Sequence, residues 1–217
     1  MEPVVCLHGA ASRPATWDRV RGALHAHGRT TLAFPLLGHR GAACPGRYPL
    51  VAFRDDVLRR LDHAGVERLA LVGHSLGAYT ATLVAQHDPD RITRLVLEDP
   101  PVPPRGPYDG PPFPCRTALG MCALAPLGMR RFDPRLMWQV IAQLTSPQQQ
   151  WWAALGAVSA PALVVAGGPL SRVPLPRLVA LATALPDARV VTVAAGHRVH
   201  SRDPQGFLAA AMPFLLD

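Results

Sequence analysis

The chain has 217 residues, 49% of them hydrophobic, and a formal net charge of +7. That length suits one domain with a sizeable core, and no apolar run approaches the roughly 18 residues of a membrane span. All 22 basic residues are arginine, which excludes Schiff-base and lysine-base chemistry; they are scattered among acids with no aromatic-interleaved stripe, which argues against nucleic acid as a partner.

In chain order, Met1-Glu2-Pro3 leads into a strand with neither a basic leader nor a cleavage site, so a cytoplasmic location is expected. Four consecutive apolar residues, Val4 to Leu7, predict a buried strand ending at His8-Gly9. Trp17, Val20 and Leu24 recur at helical spacing within a helix expected over 15–27, and a strand is expected over 29–34. A Gly- and Pro-rich loop follows. Leu50, Phe53, Val57 and Leu61 mark a helix over 50–64 that Gly65 closes. Next comes the apolar run Leu69 to Val72, the turn Gly73-His74-Ser75-Leu76-Gly77, and an Ala-rich helical pattern to His87. Strands over 92–97, 162–166 and 190–193 and helices over 174–185 and 204–216 complete the alternation.

Alternating strands and helices predict an α/β fold, a doubly wound, mostly parallel sheet of about six strands. Residues 101–160 interrupt the pattern. They open with a Pro- and Gly-rich stretch and continue with helical segments around 121–127, 134–144 and 148–158. The expected organisation is a core of residues 1–100 and 161–217 with a small helical lid over 101–160. Trp138, Trp151, Trp152, Met121, Met129 and Met137 either shape an apolar pocket under that lid or pack it against the body.

In parallel sheets ligands sit beyond the carboxyl ends of the strands. That rule selects His8-Gly9-Ala10, Ser75, Glu98-Asp99 and His197, each just after a predicted strand. A serine between strand and helix, with glycines two residues to either side, suits a tight turn that projects the hydroxyl. Cys6, Cys44, Cys115 and Cys122 show no zinc spacing and read as reduced thiols, a Cys115–Cys122 bridge being the alternative. No histidines pair with acids at ligand spacing, so no metal is expected, and no cofactor is implied. His74 is expected to pack beside the turn and His8 to brace the loop after the first strand. His200, three residues after His197, is a minor candidate for a spare base. His25, His27, His39, His63 and His87 sit in surface-like contexts.

These pieces in this order resemble the α/β-hydrolase fold family: His8-Gly9 after the first strand, Gly73-His74-Ser75-Leu76-Gly77, and Gly196-His197 after the last strand. The resemblance implies Ser75 as nucleophile, His197 as general base, and the backbone N–H groups of Ala10 and Leu76 as oxyanion hole. The sequence also departs from the family. The opening hairpin is missing, and the loop over 34–41 lacks a common aspartate. The loop after the strand 162–166, the usual place of the triad acid, holds no Asp or Glu. Some branches place the acid one strand earlier; there Asp99 is the first candidate, Glu98 the second, and no acid at all the third. The resulting expectation is a serine hydrolase acting on a small to medium apolar ester, thioester or lactone. The alternatives are a cyclase, lyase or acyltransferase of the same fold, and a non-catalytic binding protein. The sequence leaves the oligomeric state open.

Overall fold

The computed structural model describes residues 2–107, 109 and 132–217. Among them six strands form one parallel sheet: β1 (Val4–Leu7), β2 (Thr31–Phe34), β3 (Leu69–His74), β4 (Ile92–Glu98), β5 (Ala162–Ala166) and β6 (Ala188–Thr192). Their order is β2-β1-β3-β4-β5-β6. The helices are α1 (Asp18–Ala26), α2 (Leu50–His63), α3 (Leu76–His87), α4 (Pro134–Leu144), α5 (Gln149–Ala154), α6 (Leu175–Ala184), α7 (Val199–Arg202) and α8 (Pro204–Leu216).

The continuous apolar runs of the central strands are explained by burial on both faces. Val5, Leu7, Leu69 and Leu71 face the larger core, built with α2, α3 and α6. Their neighbours Val4, Cys6, Ala70 and Val72 face a second core closed by Trp17, Val20 and Leu24 near α1 and by Phe207, Ala211 and Phe214 of α8. Side chains alternate because successive strand residues point to opposite faces. Burial pushes the Cys6 thiol up to about 12, which leaves it inert. Helix α3 is buried from Leu76 to Ala85; its Ala, Gly and Thr residues let it lie close against β3, β1 and α2.

Several boundaries differ from those expected. The first helix opens with a 3₁₀ turn, Pro14–Trp17, before α1. Strand β2 starts two residues late because the Arg29 N–H donates back to Leu24 O (3.0 Å) over a left-handed Gly28, closing the helix first. Strand β6 runs two residues earlier at its start, where Ala188 pairs with Ala162. The four-residue α7 was not expected.

Within 132–160, Leu136, Met137, Val140, Trp151 and Leu155 join the larger core. Trp151 stacks on Tyr79 with ring centroids 5.2 Å apart and donates Nε1–H to Thr82 Oγ1 (2.9 Å), so it fastens this segment to α3. Trp138 is 43% exposed. The expectations at Cys115, Met121, Cys122 and Met129 and over 121–127 fall outside the described residues. Among the described residues no helix is long and apolar enough to cross a membrane.

Candidate active site

Ser75 sits between β3 and α3 with φ 51° and ψ −118°, a left-handed conformation that is costly for a residue with a side chain. Packing holds it there. The Ser75 N–H donates to Glu98 O (2.9 Å) and the Tyr79 N–H to Ser75 O (2.9 Å). A Cβ on Gly73 would strike the Gly77 carbonyl, and one on Gly77 would strike the carbonyls of Leu7 and His8. The two glycines therefore let strand, helix and neighbouring loop approach closely enough to impose the turn.

Parallel pairing of β1 with β3, Leu7 opposite Gly73, sets the loop 8–11 beside this turn. His8 is buried and donates Nδ1–H to Gly9 O (2.8 Å), while its Nε2 accepts from Leu36 N–H (3.1 Å). Burial pulls His8 down to about 3, so it stays neutral. His39 donates Nδ1–H to Leu37 O (3.0 Å) and accepts the Ala11 N–H on Nε2 (3.1 Å). His39 is 1% exposed, which corrects the surface placement read from its polar loop: Nδ1 braces its own loop after β2, and Nε2 ties that loop to the one after β1. Ala11 has φ 54°, and its N–H is taken up by His39 rather than left open. The Leu76 N–H, in the first turn of α3, has no intrahelical acceptor.

The structure brings Ser75, His197 and Asp99 together. His197 Nε2 lies 3.1 Å from Ser75 Oγ, and its Nδ1 lies 2.6 Å from Asp99 Oδ2. With Asp99 as carboxylate, Nδ1 carries the proton and Nε2 is free to accept from the serine hydroxyl. The His197 side chain is 28% exposed and that of Asp99 is fully buried. Asp99 follows β4 in a left-handed conformation, φ 44°, and its N–H donates to Val165 O (2.8 Å).

The acid-free loop after β5 has its own part. Its Gly167 N–H donates to Asp99 Oδ1 (3.1 Å), and the Ser171 hydroxyl donates to Asp99 Oδ2. Where the family pattern expects a carboxylate, this loop instead supplies donors to one. Ser171 was missed from sequence; the signal was a hydroxyl in a loop that lacked its acid.

Glu98 goes elsewhere. Fully buried, it accepts from the Nδ1–H (2.6 Å) and the backbone N–H (3.1 Å) of His200. Burial raises Glu98 to about 7 and lowers His200 to about 3, so the pair tends to neutrality. Trp17 stacks on the His200 ring at 3.9 Å. His74 donates Nε2–H to His197 O (2.6 Å) and lies between the two, its ring 4.9 Å from that of His197 and 5.1 Å from that of His200. Among the described residues, His200 Nε2 and His74 Nδ1 have no hydrogen-bond partner. No group of three His, Cys, Asp or Glu among the described residues could hold a metal ion.

Comparison with known proteins agrees with this fold. A model of the alpha/beta hydrolase fold family matches residues 2–135. An uncharacterized protein of Mycobacterium tuberculosis is 33% identical over 95 residues, which span 43% of this chain but only 28% of that protein. The mouse sn-1-specific diacylglycerol lipase is 27% identical over 253 residues, covering 98% of this chain and 80% of the lipase. The crystal structure of a Pseudomonas aeruginosa hydrolase superposes with a TM-score of 0.73 at 27% identity, covering 99% of this chain and 90% of that one.

Proposed function

The chain belongs to the α/β hydrolase fold family, and from that premise we propose that it is a serine hydrolase working through an acyl-enzyme on Ser75. The observation that carries the proposal is the unbroken chain Ser75 Oγ, His197 Nε2 at 3.1 Å, His197 Nδ1, Asp99 Oδ2 at 2.6 Å. A serine hydroxyl is a poor nucleophile until a base takes its proton. Here Ser75 Oγ attacks the substrate carbonyl as its proton passes to His197 Nε2. Asp99 orients the ring and stabilises the imidazolium. The tetrahedral oxyanion is held by the N–H groups of Ala10 and Leu76, each contributing about 3 kcal/mol. His197 then returns the proton to the leaving oxygen or sulfur. Water, deprotonated by the same nitrogen, releases the acyl group and restores Ser75.

The substrate class is a small to medium ester, thioester or lactone with an apolar body, in line with the lipase and hydrolase relatives. Residues 101–160 act as the cap over the strand ends. Cys6 and Cys44 are free thiols, which fits a cytoplasmic protein. A fluorophosphonate probe is expected to label Ser75 covalently, and Ser75→Ala to abolish labelling. A folded wild type that does not label refutes the proposal. Labelling without turnover of p-nitrophenyl esters would point to the non-hydrolytic alternative, a cyclase, lyase or acyltransferase.

A further inference from the structure

His74, the residue before Ser75, takes no step in the proposed reaction, yet it stands among the groups that do. It closes β3, is 3% exposed, and lies opposite Glu98 of β4. Its Nε2–H donates to His197 O (2.6 Å), which joins the strand leading to Ser75 to the backbone of the base, 123 positions along the chain. A carbonyl only accepts, so Nε2 carries the proton and Nδ1 is bare. The ring shares its surroundings with Glu98, His197 and His200, and burial pulls it down to about 3, so it stays neutral and keeps this tautomer at neutral pH.

The ring is also held from behind. A Cβ on Gly9 would stand 2.6 Å from His74 Nδ1 and 2.9 Å from its Cε1. The loop after β1 therefore presses bare backbone against the imidazole. On its other sides the ring lies 4.9 Å from that of His197 and 5.1 Å from that of His200. So enclosed, it has no room to withdraw from His197 O.

Packing alone does not account for a histidine here. Leucine or methionine would fill a similar space without a polar atom, whereas the imidazole buries an Nδ1 that has no hydrogen-bond partner among the described residues. What neither apolar side chain supplies is a donor for His197 O. The other ties on this loop fix different atoms. The Gly196 N–H donates to Gly167 O (2.8 Å), and Asp99 takes the ring at Nδ1 (2.6 Å). Backbone is thus anchored on both sides of the His197 Cα. That sets where its side chain starts, and so where Nε2 stands relative to Ser75 Oγ, 3.1 Å away. Resting on the serine-hydrolase reading, we propose that His74 is a positioning residue for the base: by holding the His197 carbonyl it keeps the ring in register with both Asp99 and Ser75.

The test removes the donor and reads His197 in two ways. His74→Leu and His74→Met keep the space filled and lose the hydrogen bond, while His74→Gln retains an N–H of similar reach. The first readout is turnover of p-nitrophenyl butyrate. In the leucine and methionine variants kcat should fall about 30- to 100-fold with KM unchanged, and glutamine should restore it to within about fivefold of wild type. The second readout needs no turnover. Diethylpyrocarbonate modifies unprotonated imidazole, so its rate at His197 against pH gives the titration midpoint of that ring. Cleavage by trypsin at Arg198 separates His197 from His200, and mass spectrometry then follows each alone. A ring drawn away from Asp99 loses support for its protonated form, so the midpoint should fall by about one pH unit in the leucine and methionine variants and return in the glutamine variant.

An unmoved midpoint in a folded leucine or methionine variant overturns the proposal, whether or not the wild type hydrolyses esters. Wild-type kcat in those variants also overturns it and leaves the hydrolase reading intact. Equal losses in the glutamine and leucine variants overturn it as well and assign the ring to packing. A wild type that neither labels with fluorophosphonate nor turns over an ester removes the hydrolase reading, and the midpoint then decides the placement of His197 by itself.

Discussion

Two acid–histidine pairs lie side by side in this molecule. Glu98 and Asp99 are neighbours at the end of β4, and His200 and His197 are three residues apart after β6. Each pair is joined by a contact of 2.6 Å. Their surroundings separate them. His197 presents Nε2 to Ser75 Oγ and is partly open to solvent. His200 presents Nε2 to no partner among the described residues and is covered by Trp17. Glu98, the last residue of β4, is sent towards the core of Trp17 and Phe207, while Asp99, in a left-handed conformation just past the strand, turns towards His197. A carboxylate beside an imidazole is thus not enough to make a site. What distinguishes the His197 pair is the Ser75 hydroxyl at its far nitrogen and access to water.

The largest effect is expected from Asp99→Asn. Asparagine tolerates the left-handed backbone and can still accept from Gly167, but it lets His197 take the wrong tautomer. Turnover of a p-nitrophenyl ester should fall about 10⁴-fold with little change in folding. If Glu98→Gln lowers turnover more than Asp99→Asn does, the two roles are reversed. Next comes Ser171→Ala, which removes one hydroxyl from the Asp99 carboxylate. Hydrogen bonds to charged groups are worth about 1.5–3 kcal/mol, so kcat should drop about tenfold with KM unchanged. A wild-type kcat would show that Gly167 alone holds Asp99.

Glu98→Gln should leave turnover near wild type and change the pH dependence of stability instead. His8, His74 and His200 are each lowered to about 3 from 6.5 by burial. The unfolded chain binds their protons first, so stability is present above about pH 6.5 and is lost as pH falls towards 3. Glu98 acts in the opposite sense. Raised to about 7 from 4.5, it binds a proton in the folded state first, so acidification from 7 to 4.5 adds stability. Three losses outweigh one gain. In the glutamine variant the gain is absent, and calorimetry should find Tm falling more steeply between pH 7 and 4.5. Parallel Tm curves for the two proteins would remove Glu98 from this role.

Much of the framework was legible in the sequence because local patterns determine it. The runs 4–7 and 162–166 match β1 and β5, and the helix expected over 134–144 matches α4. The serine turn announces itself through Gly73 and Gly77, since no larger residue fits there. Asp99 could be singled out because the usual loop was empty. What escaped depends on long-range contact. Glu98 meets His200 across 102 positions, with no local mark on either residue. His39 stands in a polar, Gly-rich loop, and its burial becomes visible only once the β1 and β2 loops are folded together. The role of Trp151, fastening 132–160 to α3, was one of two open readings, and packing against Tyr79 selected it.

The two short imidazole–carboxylate contacts also give the molecule a pair of magnetic reporters. A ring proton shared across 2.6 Å is strongly deshielded, so both should resonate well downfield of the amide envelope in a proton spectrum. The His200 signal, from a ring sealed beneath Trp17, should persist in water and exchange slowly. The His197 signal should be broadened by solvent and should shift when Ser75 is covalently modified. A single spectrum would then carry both a response and its internal reference.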